Sequence, residues 1–376
     1  MRQSATGFRV LGAAWLALLA AAPAHASSWS ADDARVLRAF ALSAGEDALP
    51  LPDTADLDRE LANGAGPGLD RAAQALALRV ARLHLLGCVP AGQRAGWQGQ
   101  DSDAAFDIAA ALEGALASGG LRGFLDGLRP DHPGYAGLRA ALAREGDPAK
   151  RARLARDMER WRWLPREPGA EHVLVNVAAF EAQLWREGKL AGTWPVIVGK
   201  PATPTPGFSA QVTGVTFNPW WHIPASIVRE RGGRFPARAG YVRVNGAWRQ
   251  KPGPNNALGQ VKVEMANPHS VYMHDTPSKS LFARPVRAFS HGCIRTGDAI
   301  GFAATLLDGT MPRARVDALV KAGKTVTIDL PRPIPVHIAY FTAAVQADGT
   351  LAILPDIYGR DAAMARLPAP AGGCGG

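Results

Sequence analysis

Two short motifs could do chemistry: His274-Asp275-Thr276 and, with fifteen residues between His274 and Ser290, Ser290-His291-Gly292-Cys293-Ile294-Arg295. A thiol becomes a nucleophile when a base takes its proton. A histidine closing an apolar strand, Val271-Tyr272-Met273-His274, is the natural base for Cys293. A backbone carbonyl such as that of Asp275 can fix the His274 tautomer without an acid. Gly292 lets a substrate carbonyl approach the Gly292 and Cys293 N–H groups, which would stabilise a tetrahedral oxyanion. Arg295 can grip a carboxylate with its fork of donors. Ser290 reads as a hydrogen-bond donor that fixes the loop, and His291 as part of the signature or as a structural histidine. A metal site from His274, His291 and Cys293 lacks any CxxC, HExxH or acidic completion, so neither metal nor cofactor is expected.

The setting of the cysteines follows from the start of the chain. Residues 1–9 hold Arg2 and Arg9 and no acid, an apolar run to Ala22 follows, and Ala24-His25-Ala26 is a small-x-small cleavage site. This predicts a signal peptide over residues 1–26 and a periplasmic protein without stable membrane insertion, since no later stretch approaches the roughly 20 apolar residues of a span. In that oxidising compartment the three cysteines, Cys88, Cys293 and Cys374, leave an odd thiol. Cys88, in an apolar run, reads as buried and inert; Cys374 lies in a Gly-rich tail expected to be flexible. Only Cys293 has a polar, glycine-flanked setting.

With 376 residues, 47% hydrophobic and 20% charged, the chain can form about two domains. Its charge of +9 comes without a Lys/Arg block interleaved with aromatics, which argues against nucleic acid and for an anionic envelope polymer.

The elements that must position the chemistry fall into two regions. Residues 30–164 read helical, with Ala72, Leu76, Val80 and Leu83, and again Leu154, Met158 and Trp161, at three- and four-residue steps. After residues 165–169 the period shortens to strand-like runs at 172–177, 181–186, 193–198, 260–265, 271–274, 325–330 and 336–345, the last turning at Asp348-Gly349. Residues 241–244 and 247–250 flank Asn245-Gly246, a strong hairpin signal. Helices are expected at 297–307, capped by Thr296, and at 313–322. Cys293 would then sit just ahead of a helix N-terminus, whose dipole favours a thiolate. The predicted class is α+β: a small helical scaffold domain over 27–165, a mostly β catalytic domain with a few helices over 170–332, and a C-terminal β-hairpin extension with its tail over 333–376.

These residues resemble the L,D-transpeptidases with a YkuD-type catalytic domain. Beyond the signature, the likeness rests on Leu174-Val175-Asn176-Val177, Val198-Gly199-Lys200, Thr205-Pro206, Asn218-Pro219-Trp220-Trp221-His222-Ile223-Pro224, residues 252–259, Asn267-Pro268-His269-Ser270 and Pro355-Asp356-Ile357-Tyr358-Gly359-Arg360. It extends over residues 159–360 and looks like the large periplasmic YcbB-type branch. The resemblance implies Cys293 as nucleophile, His274 as base and acid, and His291 and Gly292 completing the catalytic signature. It also implies that Arg295, Tyr272, Trp221 and Ser290 face the substrate, with core packing as the alternative for Trp221. Donor and acceptor stem peptides of peptidoglycan are the implied partners, with wall-synthesis proteins beside them. The implied activity is 3-3 cross-linking through a cysteinyl thioester. A cysteine hydrolase of the same family and a silent wall-binding module are the alternatives. Unlike members with a peptidoglycan-binding module and a long capping insertion, this chain has room for the helical region and a reduced insertion near 225–251.

Overall fold

The computed structural model describes residues 28–99, 102–345 and 350–367. The leader, the Asp348-Gly349 turn and the tail with Cys374 lie outside the described residues. Within them, the N-terminal part comprises α1 (Ala31–Leu42), α2 (Ala55–Asn63), α3 (Pro67–Leu86), α4 (Ile108–Ala117), α5 (Leu121–Asp126), α6 (Pro133–Arg144) and α7 (Pro148–Trp161). Local chemistry sets the boundaries. The Ser30 hydroxyl accepts the Asp33 N–H at the head of α1, and Asp147 accepts those of Ala149 and Lys150 ahead of Pro148 in α7. Leu69, Leu76 and Val80 of α3 are buried with Leu37 and Leu112. By length and composition α3 could cross a membrane, contrary to the sequence expectation, but that apolar stripe packs into the helical core.

The second part runs β1 (Glu171–Asn176), β2 (Glu181–Arg186), β3 (Lys189–Gly199), β4 (Phe208–Phe217), β5 (Trp221–His222), α8 (Ala225–Glu230), β6 (Tyr241–Val244), β7 (Ala247–Gln250), β8 (Val261–Glu264), β9 (Met273–His274), β10 (Ala288–Ser290), β11 (Ile294–Thr296), α9 (Ala299–Leu306), α10 (Arg313–Ala322), β12 (Val326–Ala339), β13 (Ala343–Val345), β14 (Leu351–Ile353) and α11 (Arg360–Ala365). Nine strands pair in the order β10-β3-β11-β9-β8-β4-β12-β1-β2, and a further β3–β2 pairing closes the sheet on itself. Val196, Val215, Val263, Met273 and Ile294 fill the inside with Phe302 of α9 and Val316 of α10. The α+β class holds. Where two strands were expected at 325–330 and 336–345, β12 runs on through Pro331, Pro333 and Pro335, with its register against β4 shifting between Asp329 and Ile334. Proline has no N–H for the ladder, and a bulge accommodates that lack.

The helical and β parts share a core. Leu138 of α6 and Leu154, Met158 and Trp161 of α7 pack with Leu174 of β1 and Phe341 beyond β12, and the Trp161 and Phe341 rings stack at 4.6 Å. Three histidines sit in this junction. His132 Nδ1 accepts the Gly134 N–H at 2.9 Å, His172 Nδ1–H donates to Gly169 O at 2.7 Å, and His337 Nε2–H donates to Pro168 O at 3.0 Å. Burial, reinforced by the neighbouring histidines, holds His132 at about 3 and His337 at about 4. An unfolded chain would titrate near 6.5, so it binds more protons below that pH. The stabilisation is complete above about pH 6.5 and is lost as pH falls toward 4. The melting temperature should therefore drop by roughly 5–10 °C between pH 7 and 4.5. His132→Asn, which keeps an acceptor for the Gly134 N–H, should flatten that slope; an unchanged slope would contradict the assignment.

Candidate active site

Register brings the reactive side chains together. Lys262 of β8 pairs with His274 of β9, and His274 pairs with Arg295 of β11. Partners across a ladder share a sheet face, so all three project to one side while Val263, Met273 and Ile294 point into the core. Tyr272 and Cys293 extend the polar face. The Tyr272 ring lies 5.5 Å from that of His274 with Lys262 Nζ 5.3 Å above it, and the Cys293 thiol donates to Ser270 O at 3.7 Å, with Tyr272 close enough to favour its thiolate. Among the described residues Cys293 is the free thiol; Cys88 is disulfide-bonded rather than an inert buried thiol.

The loops are tied by their own polar side chains. Asn267 Nδ2 donates to Met265 O and Val271 O at 2.7 and 2.6 Å, shaping the approach to β9. Ser290 Oγ donates to Cys293 O at 2.5 Å and accepts the Gly292 N–H at 3.1 Å, the loop-fixing role expected of it. That bond engages the Gly292 N–H. Of the two expected oxyanion donors, Cys293 N–H is the one that meets no protein acceptor among the described residues. Gly292 adopts φ 113°, a conformation that side chains resist.

His274 is buried, and its Nδ1–H donates to the Asp275 carbonyl at 2.5 Å, as the sequence suggested. The Asp275 carboxylate turns away, accepting from Gln260 N at 2.9 Å and pairing with Lys279. This leaves His274 Nε2 as the basic nitrogen. Burial, helped by the Arg295 cation, pushes the imidazole down to about 4, although the Asp275 and Leu258 carbonyls oppose the shift. Burial likewise pushes the Cys293 thiol up, against Tyr272 and the cations of Arg295 and Lys262. The resting pair is thus neutral thiol and neutral imidazole. Among the described residues the Arg295 guanidinium makes no ion pair, so its donors are available to a substrate carboxylate.

Three expectations change. The helix after Cys293 begins at Ala299, capped by Asp298, whose side chain accepts the Gly301 N–H. Thr296 belongs to β11, so a strand separates Cys293 from the helix and the dipole does not reach the thiol. The His291 ring faces the insertion, with Nε2 2.8 Å from Glu230 of α8; this is a loop-to-insertion tie rather than a contact with the thiol. Trp221 is 6% exposed and packs with Phe235, Tyr241 and Leu258 in the insertion's core, though it also borders a cleft of about 400 Å³ lined by Trp220, His222, Arg249, Lys262 and Tyr272. Trp220 stood in the Asn218-to-Pro224 motif without a role of its own, and Lys262 and Arg249 had no motif to announce them. Only β pairing and the hairpin fold of the insertion bring them beside Tyr272. Among the described residues no group of three His, Cys, Asp or Glu could hold a metal.

Residues 170–328 match the family model described as the L,D-transpeptidase catalytic domain, YkuD, and residues 11–142 match one described as a scaffold domain. A curated relative from Haemophilus influenzae, provisionally named an L,D-transpeptidase, is 28% identical over 238 residues, which is 56% of this chain and 48% of the relative. The chain thus spans about half of that relative's length. Solved structures of an L,D-transpeptidase from Mycobacterium smegmatis (15% identity, TM-score 0.25, 45% of this chain and 58% of that one) and of a C442S mutant of an Enterococcus faecium L,D-transpeptidase (14%, 0.24, 45% and 50%) are also similar.

Proposed function

With residues 170–328 forming a YkuD-family L,D-transpeptidase catalytic domain as the premise, we propose that this protein, exported by its leader to the periplasm, cross-links peptidoglycan stem peptides through an acyl-enzyme on Cys293. The observation that carries the reading is the free Cys293 thiol, which lies beside Tyr272 and shares one sheet face with His274 and with an Arg295 that makes no ion pair among the described residues. Arg295 holds a carboxylate of the donor tetrapeptide. As Sγ attacks the carbonyl at the L-centre of diaminopimelate, the thiol proton passes to His274 Nε2 and the oxyanion forms against Cys293 N–H. Collapse breaks the amide bond. The departing D-Ala amine takes the proton from His274, and a thioester remains. An acceptor stem's side-chain amine then gives its proton to His274 and attacks the thioester, forming a 3-3 bond and returning the thiol.

A neutral resting pair suits this order of events, because nucleophile activation waits until a carbonyl is in place. Trp220, Arg249 and Lys262 along the cleft supply an aromatic wall and cations for the peptide chains. Incubation with disaccharide-tetrapeptide should yield a dimer joined through two diaminopimelate residues, with one D-Ala released per bond. Tripeptide alone at high acceptor concentration, or release of wall-attached protein, would replace transfer with hydrolysis.

A further inference from the structure

We propose that the C-terminal segment around Tyr358 and Arg360 is a positioning device for the nucleophile loop, acting through Thr205 on the Gly292–Cys293 peptide; the proposal rests on the acyl-enzyme reading above. These residues lie beyond the matched catalytic domain, which ends at residue 328.

Thr205 is fully buried. Its hydroxyl donates to Gly292 O at 2.8 Å and accepts the Gly199 N–H at 2.9 Å. The Gly292 carbonyl and the Cys293 N–H are opposite ends of one planar trans peptide. Holding the carbonyl therefore aims the N–H that faces the developing oxyanion. Gly292, at φ 113°, offers little resistance of its own to rotation of that plane.

Thr205 is itself held from the C-terminal side. Arg360 Nη2 donates to Thr205 O at 2.8 Å. Thr205 N–H donates to the Tyr358 hydroxyl at 3.3 Å, and that hydroxyl donates to Gly199 O at 2.5 Å. The Arg360 guanidinium is buried between the faces of Tyr340 and Tyr358, 4.8 and 4.9 Å from their centroids. Among the described residues no carboxylate pairs with it. Burying a cation without an anion is unfavourable, and here it secures a backbone carbonyl next to the nucleophile's support. Gly96 of the scaffold part, at φ 72°, covers the site so closely that a Cβ there would fall 2.1 Å from Arg360 Nε. The adjacent Asp361 pairs with Arg160 of α7 at 2.7 Å, and Arg160 with Asp157 at 2.7 Å. A continuous polar line thus runs from the helical domain to Gly292. It gives that domain a part in the chemistry.

The test compares two reactions of Cys293. Acylation by a carbapenem passes through an oxyanion; alkylation by iodoacetamide does not. Thr205→Val should slow carbapenem acylation and lower kcat by roughly 10²-fold, the order expected for one mispositioned oxyanion donor. Alkylation and KM should stay within about 3-fold, since thiol reactivity and binding are not the affected quantities. Thr205→Ser, which keeps the hydroxyl, should recover most of the rate, and Tyr358→Phe should follow Thr205→Val in direction. Equal loss of acylation and alkylation, no rescue by serine, or wild-type acylation in both Thr205→Val and Tyr358→Phe would overturn the positioning role. Absence of carbapenem acylation in the wild-type protein would instead overturn the acyl-enzyme reading and this inference with it.

Discussion

Cys293→Ala should abolish turnover and leave no carbapenem adduct, the largest effect expected of any substitution in this chain. The thiol supplies the bonding electron pair, and none of the neighbouring side chains is an alternative nucleophile of comparable strength: Tyr272 is pushed well above its ordinary pKa by burial, and the Ser290 hydroxyl is committed to Cys293 O. Peptide mapping of the wild-type adduct checks the assignment. An adduct found elsewhere, or retained in Cys293→Ala, would contradict it. Cys88→Ser breaks a disulfide but should leave acylation intact.

His274→Gln should reduce kcat/KM by more than a typical general base, for which 10²- to 10⁴-fold is the usual range, because the same nitrogen serves both half-reactions. The pH profile adds a sharper criterion. With the imidazole pushed down to about 4, its basic form persists well below neutrality. The acid limb of acylation should fall near 4 rather than near the ordinary 6.5. A limb at 6.5, or a near wild-type rate in His274→Gln, would break the proposed pair.

Elements with strong local signals were legible in the sequence. Asn245 and Gly246 adopt φ 49° and 78°, the left-handed pair a two-residue turn demands, and the hairpin formed at the expected residues. So did β2 and α10. The ten-residue strand β4 was not anticipated. Its alternation ends midway, and it contains Gly214, where a Cβ would fall 2.7 Å from Ile328 O; a glycine required by close strand packing reads as a break. The three prolines of β12 misled in the same way, because a bulge is decided by the partner strand.

The site divides along the same line. Cys293, His274 and Arg295 were legible as candidates because the proposed nucleophile, base and carboxylate anchor lie within one short stretch of chain. The backbone carbonyl of Asp275 as the tautomer anchor was legible too, being adjacent to His274. Thr205 and Arg360 stood in the family-like stretches without a role, and Lys262 and Glu230 carried no signal, since each reaches the site only by strand register or by packing of distant segments. The helix dipole failed as an argument because the sequence does not reveal that β11 is inserted between Cys293 and α9.

The most direct measurement is rapid-quench intact-protein mass spectrometry of the enzyme with disaccharide-tetrapeptide, before and after excess acceptor amine is added. The account predicts an adduct on the Cys293 peptide equal to the donor minus D-Ala, which disappears on addition of amine as the cross-linked dimer appears in matching amount. An adduct that decays at the same rate with and without amine, yielding only tripeptide, would contradict it.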